Sequence, residues 1–387
     1  MNRIVRFLII FLLFSGIIFF FVLGKITDRK YNRTASFGEL EISFKAKEIH
    51  QNLLIADMHA DNLLWDRNPT SRINHGHVDI PRLLEGNYAL QVFDAVIQTP
   101  KNLNYYSNTN ETDNIRLLSM ANRWPIRTWN SLYQRALYQS ELLHNAANES
   151  PSLEVIKNKD DLAYFLKLRK NNSYRIAGIL SIEGLHALEG NIHNLDGLYQ
   201  AGYRMMGLVH FFDNEVGGSS SGVAKGGLTD FGKTVIRQME DRNITIDLAH
   251  ASPQLIRDVT AIATRPVAVS HTGIKAIHDS PRNLSDEEIA LIAKNGGLIG
   301  IGFWEEATGS LHPRSIARSI RYVADRAGIE HVTLGSDFDG AVKTGFDSSE
   351  IIYLTEALLQ EGFDVEEIKS IMGGNQLRFF LDNLPDK

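Results

Sequence analysis

Apolar residues in this chain gather into short β-like runs separated by longer stretches of helical periodicity. The runs are residues 53–56, 89–97, 176–182, 205–209, 244–248, 267–270, 298–303 and 332–335. Between most of them lie amphipathic stretches with helix-start signals. These are 229–241, 252–263 opening on Ser252-Pro253, 285–294 with a Ser-x-x-Glu box, and 315–327. Strand then helix, repeated eight times, predicts an α/β fold, a (β/α)8 TIM-type barrel over residues 46–387. Residues 100–160 break the rhythm. They are rich in Asn, Tyr and Trp with a helical pattern around 114–147, and read as a helical insertion between the second and third strands. Two closing helices, 350–361 and 365–371, follow the eighth strand.

The N-terminus differs in kind. After a basic segment, 1–6, residues 7–23 carry no charge, and only Ser15 and Gly16 interrupt a Leu/Ile/Phe run. About 17–20 apolar residues can span a bilayer as a helix. The run ends in Phe20-Phe21-Val22-Leu23-Gly24, without the small-x-small site of a cleaved signal peptide. The expectation is an uncleaved transmembrane signal-anchor at 7–24, then a polar linker at 25–45. Arg3 and Arg6 precede the span, but Lys25, Arg29, Lys30 and Arg33 follow it, so the flanking charges do not favour export. Large domains translocate regardless of flanking charge, and the barrel is expected on the extracytoplasmic side.

Composition narrows the chemistry. With 387 residues, 43% of them hydrophobic, the chain can bury a large core. Its net charge of −6 without a long basic cluster gives no footprint for nucleic acid, which leaves a small-molecule or peptide substrate. Cysteine is absent, so a transition-metal site must be built from His, Asp and Glu.

Such residues recur at one place. In a barrel of this type the chemistry sits where strands end at their C-terminal face. His59 and Asp61 end the first strand, on one face because side chains alternate with period two. Glu183 ends the third, His210 the fourth, His250 the fifth, His271 the sixth and Asp337 the eighth. Packing has no need of ionisable groups at these points. The set suffices for two metal ions if one carboxylate bridges, and a pair of ions about 3.5–4 Å apart can deprotonate a shared water near neutral pH. Asp57 faces the same way one layer deeper and reads as support rather than ligand.

These motifs resemble the membrane dipeptidases, or renal dipeptidases, of peptidase family M19, an amidohydrolase-like zinc barrel. The likeness covers about residues 50–380. It rests on Asp57-Met58-His59-Ala60-Asp61-Asn62-Leu63, Ile182-Glu183-Gly184, Asp247-Leu248-Ala249-His250, Ser270-His271, Pro281-Arg282-Asn283 and Gly335-Ser336-Asp337-Phe338-Asp339-Gly340. The resemblance implies two zinc ions, one held by His59, Asp61 and Glu183, the other by Glu183, His250 and His271, with Glu183 as the bridge. It further assigns His210 to the scissile carbonyl or its oxyanion, Arg282 to the substrate carboxylate and Asp337 to proton handling. Hydrolysis of dipeptides with a free C-terminal carboxylate follows, and a homodimer is a further implication.

Two other readings stand beside it: a binuclear amidohydrolase acting on N-acyl amino acids, and a membrane-tethered binding protein without turnover. His75 and His77 read as surface-loop residues. His186, His193, His278, His312 and His331 read as helix or loop positions without a convergent partner. Asp339 is the rival of Asp337 but lies beyond the strand end. Phe93, Phe303 and Trp304 either line the substrate pocket or pack.

Overall fold

The computed structural model describes residues 3–387 apart from residue 173. Eight parallel strands form the barrel: β1 (Ile55–Ala60), β2 (Tyr88–Val96), β3 (Ile176–Glu183), β4 (Tyr203–Gly207), β5 (Thr245–Asp247), β6 (Ala268–Thr272), β7 (Leu298–Ile301) and β8 (Val332–Leu334). Each pairs with the next in sequence. The ring closes where Leu334 of β8 aligns with Asp57 of β1. The β2–β3 seam runs from Leu90 opposite Ala177 to Val96 opposite Glu183, so the long insertion leaves the sheet continuous.

The expected helices start where their signals stand. Ser252 caps Pro253–Ile262, Ser285 and Glu288 form the reciprocal box of Asp286–Lys294, and Thr229 caps Asp230–Glu240. In Pro313–Ala327 the buried Ile316, Ile320 and Val323 recur at helical spacing and turn one stripe to the barrel.

Strand alternation sorts the side chains of β1. Asp57 and His59 face the site, whereas Ala56 and Met58 pack in a cluster with Leu90, Val92, Phe165 and Phe380. The last two come from the covering helices Lys159–Arg169 and Asn375–Asn383. Each large side chain so buried contributes about 1.5–3 kcal/mol.

Three features depart from the sequence pattern. The first strand outruns its apolar run of 53–56 and continues to Ala60, as the placing of His59 at its end requires, because Asp57 and His59 are buried polar residues that continue the alternation. The insertion holds helices Asn114–Ala121 and Leu132–Glu149, then a short strand, Leu153–Val155. That strand pairs with β3 at Ile176–Gly178, below the stretch Leu180–Ile182 that β4 occupies. A third closing helix, Asn375–Asn383, follows a π-turn at Ser370–Gly374.

One helix among the described residues, Arg3–Tyr31, is long and apolar enough to cross a membrane. Its large side chains from Ile4 to Leu23 are mostly exposed. The segment that follows is ordered against the barrel. Arg33–Thr34 pairs with Lys343–Thr344 beyond β8, and Ser43 caps Phe44–Gln51.

Candidate active site

Four imidazoles converge on the Glu183 carboxylate at the end of β3. Its Oε1 lies 3.1 Å from His250 Nε2, 3.3 Å from His271 Nε2 and 3.5 Å from His59 Nε2. Its Oε2 lies 2.8 Å from His210 Nε2. Asp61 Oδ1 and Asp337 Oδ1 lie 3.3 and 3.9 Å from His59 Nε2. Three overlapping triads could each hold a cation: His59, Glu183 and His271; Glu183, His210 and His250; His59, Asp61 and Asp337. Glu183 belongs to two of them and His59 to two.

The donor set fits divalent metal. Nε2 of His250 and Nε2 of His271 are 3.1 Å apart, both aimed at the same carboxylate. Both nitrogens of His59 and Oδ1 of Asp61 are buried without a hydrogen-bond partner, which costs free energy unless something occupies the space between them. Burial first, then the nearby positive charge of Arg282, pushes the His250 imidazole well down. Burial, His59 and Arg282 do the same at His271. Both rings are thereby kept neutral, the form that donates a lone pair to metal. Burial also pushes Glu183 upward, but the imidazoles of His210 and His59 outweigh it and hold the carboxyl well below its usual range.

The backbone is shaped to present these groups. His250 and Asp337 sit at φ 63° and 59°, a left-handed region that non-glycine residues occupy at a cost of about 1–3 kcal/mol and that clusters at functional sites. Gly184 follows Glu183 at φ 93°, and a Cβ there would strike the His186 ring. At Gly340 a Cβ would strike Oδ1 of Asp337.

Arg282 approaches from the loop after β6. Its Nη2 donates to the backbone oxygen of His271 at 2.8 Å. The residue is buried, 4% exposed, and among the described residues no carboxylate lies within 4.0 Å of its guanidinium. A buried guanidinium without an ion pair is a site waiting for an anion.

A model of the family described as membrane dipeptidase (peptidase family M19) matches residues 44–383. The chain belongs to that family. Among curated relatives, dipeptidase verJ of Clonostachys rogersoniana is 34% identical over 53% of this chain. The match spans only 55% of that relative's length. Dipeptidase aclJ of Aspergillus oryzae is 27% identical over 85% of this chain and 78% of its own, and dipeptidase 3 of Mus musculus 28% over 79% and 63%. Among solved structures, the probable dipeptidase PvdM of Pseudomonas aeruginosa superposes with a TM-score of 0.73 at 19% identity, over 88% of this chain and 98% of that one. A metallo peptidase of Rhodobacter sphaeroides, bound to a phosphinate mimic of L-Ala-D-Ala, superposes at 0.69 and 23% identity, over 86% and 99%. At these identities the superpositions show the fold.

Beneath the cluster, this M19 member carries a second layer that motif reading largely missed. Asp57 accepts from the backbone N–H of Ser336 at 2.8 Å and from its hydroxyl at 2.6 Å, so the residue just before Asp337 is pinned to β1. Asp247 repeats the arrangement with Ser270, at 2.8 and 2.6 Å. The Ser270 hydroxyl lies 2.9 Å from Nδ1 of His271, which orients that ring. The available signal was a serine directly before a site residue, with an aspartate on the neighbouring strand. Asp94 of β2 is buried with both oxygens unpartnered. Burial pushes its carboxyl well up, against the pull of His59.

Some side-chain assignments change. His77 is fully buried rather than on a surface loop, with Nδ1 accepting from the Asp339 N–H at 3.0 Å. His75 Nε2 meets Asp28 Oδ2 at 2.9 Å. His186 is buried, its ring pushed down to about 3 by burial and by the charge of neighbouring His210. Asp339 turns away from the cluster to the N–H groups of His77 and Val78. Phe303 packs on Phe338 and Phe346, whereas the Trp304 ring stands 5.9 Å from that of His271, at the site.

Proposed function

We propose that this chain is a zinc-dependent dipeptidase cleaving dipeptides that carry a free C-terminal carboxylate. One observation carries the reading: four imidazoles gathered around a single buried carboxylate, Glu183, beside an unpaired buried guanidinium, Arg282. We assign His59, Asp61 and Glu183 to one ion and Glu183, His250 and His271 to the other. When bound, the ions supply Lewis acidity and a water deprotonated near neutral pH.

The protein's own residues do the rest. Arg282 grips the substrate carboxylate through two parallel N–H donors, which fixes the position of the peptide bond. His210 donates to the carbonyl oxygen as negative charge develops on it. Burial pushes the Asp337 carboxyl well up, against the pull of His59 and with the charges of Asp61 and Glu183 adding to the rise. With Oδ1 at 3.9 Å from His59 Nε2, on the edge of the cluster, it is placed to take a proton and return it to the departing amine. Enclosure matters too: these side chains are nearly all buried, so bulk water is kept from the reacting bond. We place the barrel outside the cytoplasm, tethered through residues 7–24.

The test is a panel on the purified full chain in detergent, with zinc and with chelator. It includes L-L and L-D dipeptides, their C-terminal amides, and N-acyl amino acids. Zinc-dependent cleavage of free dipeptides, with amides much slower, is the expected result. Preference for N-acyl amino acids would redirect the substrate assignment, and no turnover with two ions bound would leave a binding protein.

A further inference from the structure

The polar segment after the apolar helix reaches the active-site loop by a continuous chain of hydrogen bonds. Asp28, buried at the end of that helix, takes both Nε (2.8 Å) and Nη2 of Arg67. Nη1 of Arg67 donates to Oδ2 of Asp339 at 2.5 Å. Asn32, also fully buried, donates to Asp28 Oδ1 at 2.9 Å and accepts the N–H of Ala341 at 3.0 Å. Just beyond, Ala35 N–H donates to the oxygen of Thr344 at 2.8 Å.

What these contacts hold is a strained loop. Asp337, Asp339 and Ala341 sit at φ 59°, 65° and 59°, three left-handed non-glycine residues within five positions. At about 1–3 kcal/mol each, such residues persist only where their surroundings over-determine them. Inside the barrel, the loop is held by Asp57 through Ser336 and by His77 and Trp65 at Asp339. From outside it is held by Asp28 and Asn32.

We propose that residues 28–34 are a working part of the active site, with Asp28 and Asn32 as positioning residues that set Asp337 through Arg67 and the loop 337–341. This rests on the dipeptidase reading above. The membrane-proximal segment then does more than tether the barrel: it clamps the loop that carries Asp337, and loss of its contacts loosens the group that moves the proton.

The experiment uses the full chain in detergent with zinc, and compares Asp28→Asn and Asn32→Ala with Arg29→Ala, an exposed residue on the same helix. Two quantities are read: kcat and KM on a free dipeptide, and amide hydrogen exchange across residues 337–344. For Asp28→Asn, which acts on Asp337 only through Arg67 and the loop, kcat is expected to fall by about tenfold, no more than the low end for a partner that touches a site residue directly, with KM changed by less than about twofold. Exchange across 337–344 should quicken by about tenfold or more while the barrel strands stay protected. Asn32→Ala should move the same way by less, and Arg29→Ala should match the parent. Unchanged exchange in both variants overturns the proposal, as does a loosened loop with undiminished kcat. If the parent cleaves no dipeptide, the functional reading falls separately, and loop exchange alone decides the clamp.

Discussion

The sharpest test of the site is Arg282→Ala. Arg282 is 4% exposed, spends one donor on the His271 carbonyl, and forms no ion pair among the described residues. A substrate carboxylate would therefore be its counter-charge, met in a desolvated setting. Truncating one member of a buried, hydrogen-bonded charge pair costs about 2–5 kcal/mol. The near-complete burial puts this pair towards the upper part, about 4 kcal/mol, which at about 1.36 kcal/mol per decade is roughly a thousandfold in kcat/KM. The assay measures kcat/KM for a dipeptide and its C-terminal amide on the parent and on Arg282→Ala, with zinc content determined for both. The parent should prefer the free acid by about that factor, and the variant should have lost the preference while keeping its metal. Arg282→Lys should fall between, since an ammonium keeps the charge but not the fork. A variant that slows acid and amide equally would refute the reasoning, because it would show that Arg282 acts through the His271 backbone rather than on substrate.

Other outcomes follow from the same geometry. Glu183→Gln should lower bound zinc below two per chain and cut activity by more than about 100-fold, the upper end for losing a partner one shell further out; metal analysis after dialysis checks it. Ser270→Ala removes the hydroxyl between Asp247 and His271 and should weaken zinc affinity by about 10–100-fold, read by competition with a chromophoric chelator. His50, buried against the Thr355 hydroxyl at 2.9 Å, is pushed by burial down to about 4. Its ring is thus neutral when folded and protonates more readily when unfolded, so stability is complete above about pH 6.5 and falls by up to roughly 3 kcal/mol as pH drops to 4. His50→Gln should flatten that part of the pH profile in urea titrations. Equal slopes for parent and variant would discount the residue.

The barrel, and the gathering of ionisable side chains at one mouth of it, are legible in one dimension because both follow local rules. Apolar runs recur eight times with capped helices between several of them, and a barrel puts strand C-termini at one mouth. Hence His59, Glu183, His210, His250, His271 and Asp337, far apart in the chain, group together on strand position alone. The strand at Leu153–Val155 was not legible, because three residues make no pattern; only the free lower edge of β3 selects them.

What tertiary structure alone decided is where polar side chains find partners. His77 stands in a segment of Gly, His and Asn that reads as surface, yet Asp339 folds back over it and buries it completely. Asp28 follows an apolar span and reads as linker, yet Arg67 and Asn32 draw it against the active-site loop. The physical reason is the same in each case. Periodicity reports which face of an element is apolar, a property of neighbours along the chain. A buried charge is tolerated only by a partner brought from elsewhere in the chain, and that partner exists only once the barrel has closed.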